Sequence, residues 1–223
     1  MASSEPLTFR IPLILLAMGN LALLGMRLWP WQDVFNLPLN GATGIDPGVA
    51  LAGYIGLLYW MANTRNRSTK SGLSSGAILG LLGGAILVAQ VMLTAEPDSD
   101  GNPRSVLLGH ALLLAAAVVW GIAGLLGSRV SGDAILGLLS GAWSAMTSCL
   151  FACAAVLVEM SLAAPGPVTT DPWKQYEGLA IGNAATQSLV NSLNTGLAFL
   201  LVGPMVGAAL GLIFGFFGQA EKR

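Results

Sequence analysis

The chain has 223 residues, 54% of them hydrophobic and only 9% charged, with 10 Lys and Arg against 11 Asp and Glu for a formal net charge of −1. A soluble domain is about one quarter charged, so this balance, with a mean hydropathy of +0.71, excludes an ordinary water-soluble globule. With no basic or acidic tail, the charge gives no footing for a nucleic-acid partner.

Apolar character begins near the amino end. Arg10 followed by residues 11–26 imitates the charged and apolar regions of a signal peptide. No small-x-small cleavage site follows before Arg27-Leu28-Trp29-Pro30-Trp31, so residues 10–29 read as a first span. A crossing needs about 20 apolar residues at about 1.5 Å rise each. Residues 30–45 form a loop of turn formers and aromatics. Asp46-Pro47 then opens a second span over 47–63, because Asp caps a helix and Pro fits its first turn. Tyr59-Trp60 marks its interfacial end.

The cationic stretch 64–70 leads into a third span over 75–95. An acidic turn, Glu96-Pro97-Asp98-Ser99-Asp100, precedes a fourth over 105–126, and a fifth follows over 133–160. Asp171-Pro172 repeats the cap pattern of Asp46-Pro47. Apolar character then runs from Leu179 to Gly218, about 60 Å of helix and twice the hydrocarbon thickness. This stretch is divided into an interfacial or partly buried helix over 171–194 and a last span over 196–218. The fold class expected is all-α: one transmembrane domain, residues 1–223, built as a polytopic bundle of about six spans.

Lys and Arg set the orientation. With the amino end inside, Arg10, Arg65, Arg67, Lys70, Arg129, Lys222 and Arg223 are internal, against Arg27, Arg104 and Lys174 outside. Both termini are then cytoplasmic, and the cell membrane is the expected location.

Four constellations stand out. Gly203, Gly207, Gly211 and Gly215 recur every four residues, as do Gly76, Gly80 and Gly84. Such ladders let helices approach closely in lipid, either between copies or within one chain. Asn183, Gln187 and Asn191, followed by Asn194, place amides along one side of a helix. They suit either a polar lining or an interfacial face in water. His110, the one histidine, and Glu159 both lie toward the outer side and would form a titrating pair if they met; a headgroup-level histidine is the plainer reading. Met146, Cys149, Cys153 and Met160 share a face, but soft side chains also fill cores, and neither a metal nor a cofactor is expected. Ser140, Ser144, Thr147 and Ser148 are expected to bond the preceding turn or a neighbouring helix. Asn20 and Gln90 read as interhelical amides.

Nothing in these residues specifies a reaction, so no enzyme is expected. The function expected is a structural or assembly subunit packing through glycine-rich faces, with lipid and either itself or other membrane subunits as partners. The alternative is a channel or transporter component for a small neutral solute or ion.

Overall fold

The computed structural model describes residues 10–28, 45–62, 67–94, 103–162 and 184–220. Six helices run through them: α1 (Arg10–Leu28), α2 (Ile45–Ala62), α3 (Arg67–Thr94), α4 (Pro103–Ser131), α5 (Ala134–Leu162) and α6 (Ala184–Ala220). Among the described residues there is no strand. The all-helical membrane bundle expected from composition is therefore the observed architecture.

Among the described residues four helices are long and apolar enough to cross a bilayer, through Gly72–Leu93 of α3, Pro103–Ser131 of α4, Ala134–Glu159 of α5 and Asn194–Gln219 of α6. Each reaches at least the roughly 30 Å of hydrocarbon. The apolar stretch of α1, Ile14–Met26, is shorter and covers about 20 Å. The outward surface matches a lipid solvent. Leu107 and Leu114 of α4 are 73% and 67% exposed, and Met205 and Phe217 of α6 are 72% and 68% exposed. Such a surface is unsustainable in water at this extent.

Two boundaries differ most from expectation, while α4 runs five residues past the expected 126, to Ser131. α3 begins at Arg67 rather than at residue 75, because backbone hydrogen bonding continues past the apolar stretch into the polar Arg67–Ser71 turns. α6 runs unbroken from Ala184 to Ala220, with no division near Asn194. Neither Asn194, Thr195 nor Gly196 outweighs the hydrogen-bonded helix around it. The length problem is solved by overhang: the apolar stretch starts at Asn194, and the turns before it extend beyond the span. Residues 171–183, the first half of the expected interfacial helix, lie outside the described residues.

α5 is the axis of the bundle. It packs on α6, α3, α4 and α1, and 78% of its span is buried inside the protein, against 39%, 33% and 22% for those of α3, α4 and α6. Helix directions follow from the residues that meet. Ser140 reaches Gly72 and Ser148 reaches Gly80, so α3 and α5 run parallel. Gly203 lies against Cys149, Gly211 against Gly137 and Gly141, and Gly215 against Ala134 and Gly137, so α5 and α6 run antiparallel. This alternation is what short connections between consecutive spans require.

The α4–α5 connection shows how a sharp reversal is made. Gly132 takes φ +75°, a conformation that side chains disfavour, and its N–H bonds the Ser128 carbonyl at 2.7 Å. Asp133 then caps α5, accepting from the Ile135 N–H at 2.9 Å. Gln219 of α6 donates to the Gly132 carbonyl at 3.1 Å, tying the end of the last helix to this turn.

A Cβ at Gly211 would stand 2.6 Å from the Gly137 carbonyl oxygen and 2.9 Å from Gly141 Cα, whereas one at Gly53 would meet nothing within 4 Å. Gly211→Ala should therefore destabilise the bundle by about 1–3 kcal/mol, because backbone cannot move aside as a side chain can. Gly53→Ala should be neutral or stabilise by up to about 1 kcal/mol. Reversible unfolding in mixed micelles measures both.

Candidate functional site in the α3–α5–α6 seam

α5 carries two stripes of small residues on two faces. Gly137, Gly141, Ala145, Cys149 and Cys153 recur every four residues and meet α6. Gly207 lies against Ala145 and the Gly141 carbonyl, Gly203 against Cys149 Sγ, and a Cβ at Gly196 would sit 3.8 Å from Cys153 Sγ. The whole ladder Gly203, Gly207, Gly211, Gly215 is thus engaged inside the chain. α4 joins the same contact: Gly124 abuts Gly211, and a Cβ at Gly137 would be 2.9 Å from both the Gly124 and Gly211 carbonyl oxygens. Three backbones meet there, close enough for Cα–H···O contacts. In lipid, where apolar burial between helices gives little, such close packing supplies the association energy.

The second stripe, Ser140, Ser144, Thr147 and Ser148, faces α3. A Cβ at Gly76 would lie 2.8 Å from the Ser140 carbonyl oxygen, and one at Gly80 2.6 Å from Thr147 Cβ and 2.8 Å from the Ser144 carbonyl oxygen. At Gly84 the neighbour is Phe151, whose Cδ2 would be 2.9 Å away. The ladder Gly76, Gly80, Gly84 is therefore also filled by α5.

Three of the four hydroxyls of this stripe bond backbone. Ser140 Oγ donates to the Gly72 carbonyl at 2.9 Å, and Thr147 Oγ1 to the Trp143 carbonyl at 3.0 Å. Ser148 Oγ shares its proton between the Gly80 carbonyl at 3.0 Å and the Ser144 carbonyl at 2.9 Å, and accepts from Trp120 Nε1 of α4 at 3.0 Å. One hydroxyl thus ties three helices. Ser144 Oγ, buried beside them, has no hydrogen-bond partner.

α1 and α2 attach through two further donors. Asn20 Nδ2 donates to the Leu150 carbonyl of α5 at 2.9 Å, and Tyr54 Oη to the Leu200 carbonyl of α6 at 2.7 Å. Both side chains are buried, Tyr54 within an apolar cluster with Leu24, Leu51, Trp143 and Met146. The interhelical amide anticipated at Asn20 is real, though its Oδ1 has no partner.

The remaining sequence candidates do not converge. His110 is exposed, and its Nδ1 lies 2.7 Å from the Val106 carbonyl one turn back. Among the described residues no hydrogen bond or ion pair joins it to Glu159, because His110 faces outward from α4 while Glu159 belongs to the end of α5. Asn194 is exposed; Asn183 lies outside the described residues, and Gln187 and Asn191 are placed only as helical positions of α6. Cys149 and Cys153 are buried free thiols. Among the described residues no three His, Cys, Asp or Glu side chains gather as metal ligands.

Sequence reasoning missed Trp120 and Tyr54, which lie in apolar helices as ordinary aromatics. It also missed that the small residues of α5 form the counterpart ladder. The spacing of Gly137, Gly141 and Ala145 by four was the available signal.

The fold and its apolar exterior define an integral membrane protein. Comparison with protein-family models, curated proteins and solved structures finds no match.

Ser148→Ala should destabilise the bundle by about 1–3 kcal/mol, since it strands the buried Trp120 N–H. Ser144→Ala removes a hydroxyl that bonds nothing and should be neutral within about 0.5 kcal/mol or stabilising. Thermal unfolding of both variants in the same detergent compares them directly.

Proposed function

We propose that this chain is a structural or assembly subunit of a membrane complex, without catalytic activity of its own. The observation that carries this reading is the division of its glycines. Those of the α3 and α6 ladders are filled by α5 and α4 of the same chain, whereas Cβ positions at Gly19 and Gly25 of α1 and at Gly53 and Gly56 of α2 meet nothing within 4 Å. Helices in lipid recognise one another through small residues, so the α1–α2 face is where another membrane subunit would seat. The buried polar side chains among the described residues are amide and hydroxyl groups, none charged. This favours a packed scaffold over a proton- or ion-coupled pump.

The alternative, a channel or transporter component for a small neutral solute or ion, draws on Pro204 within α6 and on the amides of its outer half. Two measurements separate the readings. On native gels from mildly solubilised membranes, the chain should migrate well above its 22.9 kDa plus bound detergent. Gly53→Leu should return it to monomer without lowering its thermal stability. Liposomes holding the chain alone should pass neither glycerol nor potassium above background. A monomer in native membranes, or flux from the chain alone, overturns the proposal.

The Lys and Arg distribution supports a cell-membrane location with both termini cytoplasmic. Membrane-impermeant thiol labelling at Val130→Cys should then occur only from the cytoplasmic side, and at Pro103→Cys only from the outside. Labelling of both from one side refutes that arrangement.

A further inference from the structure

We propose that Tyr54 is a latch on a hinge in α6, holding the backbone carbonyl that Pro204 sets free. In an α-helix the carbonyl of residue 200 accepts from the N–H of residue 204. Residue 204 is proline, which has no N–H, and its ring also crowds the carbonyl four residues back. Leu200 is 1% exposed, so water does not serve this carbonyl, and an orphaned acceptor in a membrane core is costly. The Tyr54 hydroxyl of α2 supplies the missing donor, at 2.7 Å. Tyr54 is itself buried, so neither group has a substitute partner in solvent.

The two halves of α6 on either side of Pro204 are held differently. Carboxy-terminal to it, Gly207, Gly211 and Gly215 are at backbone contact with α5, and Gly211 also with Gly124 of α4. Amino-terminal to it the contacts are with side chains: Gly203 meets Cys149, Phe199 packs on the core, a Cβ at Gly196 would still find its nearest neighbour 3.8 Å away, and Asn194, Thr195 and Ala198 are exposed. The inner half is therefore clamped by backbone and the outer half is not. A proline at the boundary leaves one helical bond fewer to resist bending there. The Tyr54 hydroxyl bonds across that gap from a different helix, so the position of the α1–α2 pair and the bend of α6 are one variable. When the latch is closed, the outer half of α6 is fixed to α2; when it opens, that half pivots on the clamped inner half. This goes beyond the assembly reading and does not depend on it.

Hydrogen–deuterium exchange of the full chain in mild detergent tests the latch. In Tyr54→Phe, amides of residues 184–203 should exchange about tenfold faster, the effect of one buried carbonyl losing its donor, while residues 205–220 keep their protection. In a Pro204→Ala background, the restored N–H takes the Leu200 carbonyl, and adding Tyr54→Phe should change exchange by less than about twofold. Unchanged exchange in Tyr54→Phe overturns the proposal. So does loosening of both halves together, or an equal effect of Tyr54→Phe with and without the proline. If Tyr54→Phe alone fails to fold, the double variant should fold and behave as Pro204→Ala; its failure would make Tyr54 a packing residue and end the latch.

Discussion

The bundle depends on backbone meeting backbone along α5. In water, apolar side chains drive helices together; in lipid the tails are as apolar as the side chains, and that drive disappears. What remains is the density of contact and the few polar bonds that hydrocarbon leaves unchallenged. α5 satisfies both on two faces at once. Gly137, Gly141 and Ala145 admit α6 to backbone distance, and Ser140, Ser144 and Ser148 meet the glycines of α3. Because a single helix serves both seams, α3, α4 and α6 become a unit around it, and the lipid-facing positions are left free to be bulky and apolar.

The same constraint explains why the buried polar groups are small and aimed at carbonyls. An unbonded hydroxyl in hydrocarbon is costly, and the nearest acceptors are the backbones that glycine has brought close; Ser140 and Ser148 use them and Ser144 alone of its stripe does not. Ser140 with Gly72 and Ser148 with Gly80 show the pairing: the glycine removes the side chain that would cover its own carbonyl, and the serine fills the notch. Trp120 then uses Ser148 as its acceptor, adding α4 without needing a carbonyl of its own. Tyr54 obeys the same rule at a carbonyl made available by proline rather than by glycine.

Much of this could be read from residue order, and the unread part has a physical cause. Helix existence and approximate length follow from apolar runs that water cannot accept, so the six helices were legible, as was the start of α5 near residue 133. The ladders of α3 and α6 were visible because glycine repeats are rare. Their partner was not, since it is spelled in mixed letters: Gly, Gly, Ala, Cys, Cys on one face and Ser, Ser, Thr, Ser on another. Size, the property that matters, is shared by residues whose chemistry points elsewhere, as the soft sulfur of Cys149 and Cys153 and the hydroxyl of Ser140 do. His110 and Glu159 failed to meet because depth along two helices says nothing of which way each faces. The unbroken α6 is not legible in hydrophobic length, because that length limits only the span and not the helix.

Pro204 completes the logic of the seam. A proline inside a transmembrane helix leaves one acceptor without its donor and one turn without its bond. Placed a turn further along, among Gly207 and Gly211, its ring would fall where the backbones of α5 and α6 are already in contact. Placed in the amino-terminal overhang of α6, water would serve the carbonyl and nothing would be gained by bonding it. At residue 204 it lies at the last position before the backbone clamp begins and within reach of α2. The glycine ladder therefore does more than hold α6. By fixing everything carboxy-terminal to Gly203, it decides where the helix is able to bend and which neighbouring helix feels the bend.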